Sequence, residues 1–350
     1  MKYLHLFASD KNEKFSLPFI EFMNKFFDAS EHYFLVFGSN SINLFNYKNV
    51  RKLNKNLSSL ILAVKQISKS EKIIIHGLFS WLVLVLLILN PKYIKKSNWI
   101  IWGGDLYHYQ YREKSIRSNV KEIVRRYIIK NLGALITQVR GDYKLAQSWY
   151  GATGKYYYSF VYPSNLYKDY DLEEIYKDHD EIVIQVGNSA CNTNNHIEVF
   201  EKLAKYKEKN IVIVCPLSYS GKQNYINNVI DKGRSIFEEK FIPIIDFMPL
   251  NEYLTVLAKV DVAIFNHNRQ RGLGNIITLL GLGKKVYIRK ETTTWDFCLE
   301  HDLKVFNGNE DFEDLFEGLN INEKNKNINN VKMKFSEEKL KADLREIFPI

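Results

Sequence analysis

The sequence predicts an α/β protein built from two parallel-sheet domains. Three observations lead there. The chain has 350 residues, more than one ordinary core organises. Short apolar runs alternate with helix-period segments in both halves, the pattern of βαβ units. Between the halves runs YKDYDLEEIYKDHDE, residues 167–181, acidic and poor in aliphatic side chains, which reads as an interdomain connection. The implied division is 1–166, a linker at 167–181, 182–320, and a tail over 321–350 that is expected to pack back on the first domain.

In the first half the strand candidates are 3–7, 33–37, 72–75, 99–102, 134–139 and 157–162. Helical patterns at 17–27, 57–68, 79–89 and 115–131 lie between them. In the second half strands are expected at 182–186, 211–214, 242–245, 262–265 and 286–288. Helices are expected at 195–206, 223–237, 250–259 and 275–282, with a last one at 336–347 after an Asn/Lys-rich stretch. No sequence repeat links the halves. They share an architecture, two Rossmann-like domains facing a central cleft. In open parallel sheets ligands sit at the carboxyl ends of strands, so the loops of interest are those that follow strands.

Composition narrows the class. Hydrophobic residues make up 46% and charged residues 25%, the balance of a globular chain rather than a disordered one. The three cysteines, Cys191, Cys215 and Cys298, form no C-x-x-C pair, so no zinc or redox site is expected, and the chain reads as reduced and intracellular. The first residues lack a signal-peptide layout. Residues 73–91, IIIHGLFSWLVLVLLILNP, carry no charge, but His76-Gly77 divides them into a strand and a helix rather than one membrane span. The net charge is +9, concentrated early: residues 92–130 hold ten Lys/Arg against three acids. There, EKSIRSNVKEIVRRYIIKNLG reads as a basic amphipathic helix over 115–131. Ile116, Val120, Ile123, Val124, Tyr127 and Ile128 share its apolar face, suited to an anionic membrane surface or to packing on the sheet. Aromatic and basic residues are not interleaved for base stacking, which argues against nucleic acid.

Two loops of the second half carry the chemistry of anion binding. VGNSACNTNNH places Gly187, Asn188 and Ser189 in a tight turn before a helix, either a nest of N–H groups or an ordinary capped loop. NHNRQRGLGN puts Arg269, Gln270, Arg271, Gly272, Gly274 and Asn275 ahead of an apolar helix. Glycines admit phosphate oxygens to the backbone, the helix dipole favours negative charge, and arginines pair with phosphate. Tyr219, in PLSYSG, could stack on a base, and Trp295 could belong to the acceptor or sugar site or cover a core. In the first half, Asp10, His76, Gly104-Asp105 with Tyr107, and Arg140 with Asp142 all follow strands. They are candidates for an acceptor pocket, with Asp105, Asp10 or His76 as the general base for a hydroxyl. A nicotinamide dehydrogenase is disfavoured, because residues 7–14 contain no glycine.

Taken in order, FASD (7–10), IIHG (74–77), WGGDLY (102–107), RGD (140–142), VGNS with NNH (186–189, 194–196) and RQRGLGNIITLLGLG (269–283) with TTWD resemble glycosyltransferase family 56. That family's characterised activity is transfer of N-acetylfucosamine from its TDP form to lipid II in enterobacterial common antigen synthesis. The resemblance implies a GT-B fold and a TDP-sugar donor carrying a deoxy-amino sugar of the 4-acetamido-4,6-dideoxygalactose type. It further implies a polyprenyl-diphosphate-linked acceptor, a peripheral place on the cytoplasmic face of the inner membrane, and no metal or other cofactor. The same fold could use another nucleotide sugar and acceptor, or serve a non-catalytic saccharide-binding protein at the membrane.

Overall fold

The computed structural model describes residues 1–8, 15–37, 46–54, 56–168 and 180–349. Asp10 and most of the expected linker therefore lie outside the described residues. The chain divides into two compact units, Met1–Leu166 with Glu337–Ile350, and Tyr167–Ser336.

The first unit holds seven parallel strands: β1 (Tyr3–Phe7), β2 (His32–Phe37), β3 (Val50–Leu53), β4 (Lys72–His76), β5 (Ser97–Ile100), β6 (Ala134–Ile136) and β7 (Lys155–Tyr157). Their order is β3-β2-β1-β4-β5-β6-β7. Every residue of β1 is buried, since helices cover both faces of a parallel sheet. Leu6 sits in register between Leu35 of β2 and Ile75 of β4. The chain reverses its direction of winding between β1 and β4, so a ligand crevice is expected at their carboxyl ends. The uncharged run resolves as anticipated. β4 ends at His76, Gly77 turns at φ +76°, and a helix follows at Trp81–Ile88. Among the described residues, no helix is long and apolar enough to cross a membrane.

The second unit has six parallel strands: β8 (Ile182–Val186), β9 (Ile211–Pro216), β10 (Phe241–Ile244), β11 (Val262–Phe265), β12 (Lys285–Ile288) and β13 (Phe306–Asn307). They are ordered β10-β9-β8-β11-β12-β13. Its reversal lies between β8 and β11, which pair through Val262–Ile184 to Ile264–Val186.

The tail departs from expectation. Residues 321–334 do not return to the first unit: they form the helix Ile321–Lys334 in the second. The cause is local. Val331 is buried, and the buried Asn327 side chain binds both the N–H and the carbonyl of Lys304 at 2.7 and 3.0 Å. Only the helix Glu337–Ile347 belongs to the first unit. Beyond it, Phe348 packs edge-on to Tyr3 and His32.

The basic helix Ile116–Asn131 turns most of its sequence-marked apolar face outward, away from the sheet-packing alternative. Its buried residues are Glu122, Arg125, Ile128 and Ile129. Ile116 (86% exposed), Val120 (54%), Ile123 (68%) and Tyr127 (47%) face solvent. The preceding helix Trp81–Ile88 packs against it, with Lys121 over the Trp81 ring at 5.7 Å.

Candidate functional site

In the second unit the predicted loops meet at the carboxyl ends of β8 and β11. Gly187 takes φ +69°; a Cβ there would stand 2.6 Å from Asn194 Oδ1 and 2.7 Å from His196 Nε2. The turn is therefore closed by its own neighbours. The Asn188 N–H donates to Asn194 Oδ1 at 3.1 Å, and Ser189 is buried with its Oγ accepting from Asn194. Of the two readings of Gly187, Asn188 and Ser189, this geometry favours an ordinary closed loop over an open nest of N–H groups. What the turn presents is the Asn188 side chain. Its Nδ2 donates to the Tyr219 hydroxyl at 2.8 Å, while its Oδ1 has no partner.

Gly272 caps the helix Leu273–Gly281 in the left-handed region, φ +71°. Cβ atoms are disfavoured there, and this one would also lie 3.2 Å from both Asn188 Cγ and His267 Nε2. The helix starts two residues earlier than the sequence suggested, so Gly274 and Asn275 fall in its first turn, where N–H groups have no intrahelical acceptor. Arg269 donates to the Gln270 carbonyl at 3.0 Å. Arg271 is half-buried with an unpartnered Nε, and its charge is felt at Cys191, Tyr219 and His267. Trp295 lies in the first turn of the helix Thr293–Glu300, capped by Thr292.

Sequence reasoning missed two residues here, His267 and Arg289. His267 follows β11 and is 3% exposed, with the Thr193 backbone as the hydrogen-bonding group felt at its ring. Burial and the nearby Arg271 hold its pKa well below the usual imidazole value. Arg289, at the end of β12, donates to Asn266 Oδ1 at 2.6 Å and to both Glu198 oxygens at 2.7 and 2.5 Å. A lone histidine after a strand carries no pattern, and an arginine reaching a glutamate ninety-one positions away carries none either.

In the first unit most acceptor-side candidates turn inward. Asp105 is fully buried and accepts four hydrogen bonds: from Leu78 N (2.8 Å), Trp99 Nε1 (2.7 Å), Trp102 N (3.0 Å) and Leu106 N (3.0 Å). Burial pushes its carboxyl up, opposed by Arg125 and these donors. Arg125 lies near the Trp99 and Tyr150 rings and binds the Leu78 and Asp105 carbonyls. Asp105 is thus a clamp tying the loop after β4 to the loop after β5, and its oxygens are spent. This corrects its assignment as a sugar-facing base.

His76 is equally enclosed. Its Nδ1 meets the Tyr162 hydroxyl at 2.8 Å and its Nε2 meets His5 Nδ1 at 3.1 Å; His5 Nε2 in turn meets His32 Nδ1 at 2.9 Å. Trp102 Nε1 donates to the same Tyr162 oxygen at 2.7 Å. Tyr107 and Asp142, buried, bond to each other at 3.2 Å. Gly104 and Arg140 remain exposed. Among the described residues no group of three His, Cys, Asp or Glu side chains is placed to hold a metal ion.

A family described as 4-alpha-L-fucosyltransferase, glycosyl transferase group 56, matches residues 3–341. The chain belongs to glycosyltransferase family 56. This family 56 member shares its fold with solved GT-B glycosyltransferases at low identity. HepE from Anabaena, solved with UDP and glucose, is 13% identical over 99% of each chain, with a TM-score of 0.74. Sucrose-phosphate synthase from Thermosynechococcus elongatus is 11% identical, over 99% of this chain and 98% of that one, with a TM-score of 0.73. A glycosyltransferase from Rickettsia africae is 13% identical over 99% and 97%, with a TM-score of 0.66. The family 56 chain is therefore a glycosyltransferase whose two α/β units follow the GT-B pattern.

Proposed function

We propose that this enzyme transfers a deoxy-amino sugar, of the 4-acetamido-4,6-dideoxygalactose type, from a TDP-sugar to a polyprenyl-diphosphate-linked saccharide. The observation that carries the donor half is the crevice at the β8/β11 reversal, where Gly272, Arg269, Arg271 and the first turn of Leu273–Gly281 assemble cationic and N–H groups. A diphosphate leaving group gains negative charge as the glycosidic bond to the donor breaks. Fixed donors at a helix N-terminus stabilise that charge without a bound metal. The UDP complexes of HepE support a nucleotide at the corresponding kind of fold. Tyr219, 44% exposed and held by Asn188, is offered for stacking on the base. If transfer inverts configuration, Asp10 is the remaining carboxylate of the candidate set, because Asp105 and His76 are engaged internally. It lies outside the described residues.

Hydrolysis or transfer measured across TDP-, UDP- and GDP-sugars tests this reading. Turnover is expected with a TDP-sugar, and Arg271→Ala is expected to lower kcat/KM about 100-fold. No turnover with any donor, together with no nucleotide binding, would remove it.

The acceptor half draws support from the solvent-facing stripe Ile116, Val120, Ile123 and Tyr127, beside exposed Trp81, Ile88 and Leu89 and among Lys114, Arg117, Lys121 and Lys130. Apolar side chains flanked by cations suit an anionic bilayer surface, which supports reading the enzyme as peripheral on the cytoplasmic face of the inner membrane. Co-sedimentation with phosphatidylglycerol-containing vesicles should be clear at low salt. Ile123→Glu should weaken it about tenfold by losing apolar burial and adding repulsion. Equal sedimentation of Ile123→Glu and wild type would refute this face.

A further inference from the structure

We propose that Phe79 and Trp102 form a stacking platform for the saccharide of the lipid-linked acceptor. The inference rests on the acceptor half of the function proposed above, and deepens it by naming the surface that takes the sugar.

The first observation is an exposed ring that is fixed in place. Leu78 is fully buried: its N–H donates to Asp105 Oδ2 at 2.8 Å and its carbonyl accepts from Arg125. The next residue, Phe79, is 47% exposed. Its ring spans two glycines from different loops. A Cβ on Gly77 would stand 2.8 Å from Phe79 Cε2 and 3.2 Å from Trp102 Cδ2, and one on Gly104 would stand 3.5 Å from Phe79 Cε1. Trp102 is half-buried and meets Phe79 edge to face, with centroids 6.0 Å apart. Its indole is held by the Tyr162 hydroxyl at 2.7 Å and by the Phe15 ring at 4.9 Å. The Asp105 clamp fixes both members, since it also accepts from the Trp102 N–H at 3.0 Å. Rings ordered before a ligand arrives lose little freedom on binding it.

The second observation is position. Phe79 and Trp102 follow β4 and β5 at the carboxyl edge of the sheet, and β4 is one of the two strands at the reversal of winding. That edge is where an open parallel sheet takes its ligand.

The third is the order of chemistry along the surface. Trp81, 40% exposed and two residues beyond Phe79, lies beneath the Lys121 ammonium. Exposed Ile88 and Leu89 stand at the other end of the helix Trp81–Ile88, about 10 Å along it. Aliphatic side chains, then a cation, then paired aromatic rings repeat the parts of the acceptor in sequence: prenyl chain, diphosphate, sugar. The rings suit the sugar rather than the chain. A pyranose lays an apolar C–H face on an aromatic ring while its hydroxyls reach water or peptide groups, such as those of exposed Gly104.

Calorimetric titration of the full chain with farnesyl diphosphate bearing N-acetylglucosamine tests this. The control is farnesyl methyl diphosphate, which carries the same charge and no sugar. Wild type is expected to prefer the glycosylated probe about tenfold. Phe79→Ala is expected to abolish that preference, with the affinity for the control kept within about twofold. Phe79→Tyr, which keeps the ring, is expected to stay within about threefold of wild type on both probes. In wild type, saturation of the protein's aromatic protons should transfer to the C–H protons of the sugar ring, a measurement that does not depend on any variant folding. Equal affinity of wild type for the two probes, an unchanged preference in Phe79→Ala, equal loss with both probes, or no transfer to the sugar ring each overturns this inference and leaves the acceptor reading standing. Wild type that binds neither probe overturns both.

Discussion

Replacing Asp105 by alanine or asparagine is expected to cost about 3–5 kcal/mol of stability, because it removes the buried acceptor of four hydrogen bonds and a charge that Arg125 stabilises. The four donors that converge on the carboxylate come from the end of β5, from the loop after it, and from the loop after β4. Alanine leaves all four without an acceptor. Asparagine offers one oxygen and turns an NH2 toward two of the donors. Either change also removes a carboxylate acting on the buried Arg125 guanidinium, which keeps the Leu78 and Asp105 carbonyls, the Tyr150 hydroxyl and Glu122. Urea unfolding reads the effect directly as a lowered midpoint with unchanged slope. A sugar-facing base would behave in the opposite way, with Asp105→Asn folding normally and losing turnover. A variant of wild-type stability with abolished transfer would therefore restore Asp105 to the reaction and remove the clamp. Arg125→Leu should resemble Asp105→Asn, and the double variant should cost less than the sum of the two, as expected for groups that share partners.

The Asp105 reversal shows where sequence reading reaches its limit. A carboxylate after a strand and two glycines looks the same whether it faces solvent or gathers buried N–H groups. The deciding residue is Arg125, twenty positions later on a helix whose charged surface disguised it. Drawing Arg125 and Glu122 inward is also what turns Ile116, Val120 and Ile123 outward, so the apolar face marked in the sequence became the exposed one. The central strands were legible because burial on both faces makes them continuous apolar runs, as in IVIQV of β8. Edge strands were not. β3 is VRKL with two of its four residues buried, and β13 has two residues. The helix Ile321–Lys334 hid in an Asn/Lys-rich stretch because a single Val and a single Asn seat it. The turn that Gly272 makes ahead of the helix Leu273–Gly281 was readable from the glycines of 269–274. The burial of His267 was not, because a histidine after a strand shows its surroundings only in three dimensions.

Acidification is expected to destabilise the first unit from about pH 6.5 downward, before its carboxylates titrate. His5, His32 and His76 form one buried chain of hydrogen bonds. Around His5 and His76 stand Phe7, Phe19, Phe34, Phe348 and Tyr162, and no carboxylate acts on either ring. Burial lowers His5 and His76 well below the usual value, and His32 to about 4, where Asp28 offsets only part of the burial effect. The unfolded chain binds these protons near pH 6.5 and the folded chain does not, so stability is fully present above pH 6.5 and falls as the pH drops through the window below it. Each such histidine contributes a slope of about 1.4 kcal/mol per pH unit, hence about 4 kcal/mol per unit for the three together until His32 begins to protonate. Against a total stability of about 5–15 kcal/mol, a loss of about 5 kcal/mol is reached near pH 5.3 and of about 10 kcal/mol near pH 4, so a chain in the lower half of that range unfolds between about those values. Buried Asp105, Glu122 and Asp343, whose pKa values are raised, take up protons in the folded state and oppose the loss only at the acid end of that window. Urea midpoints at pH 7.5, 6.5, 5.5 and 5.0 decide the matter. A flat profile over that range would mean that the three rings accept protons while folded, and that the chain in the sheet is open to water.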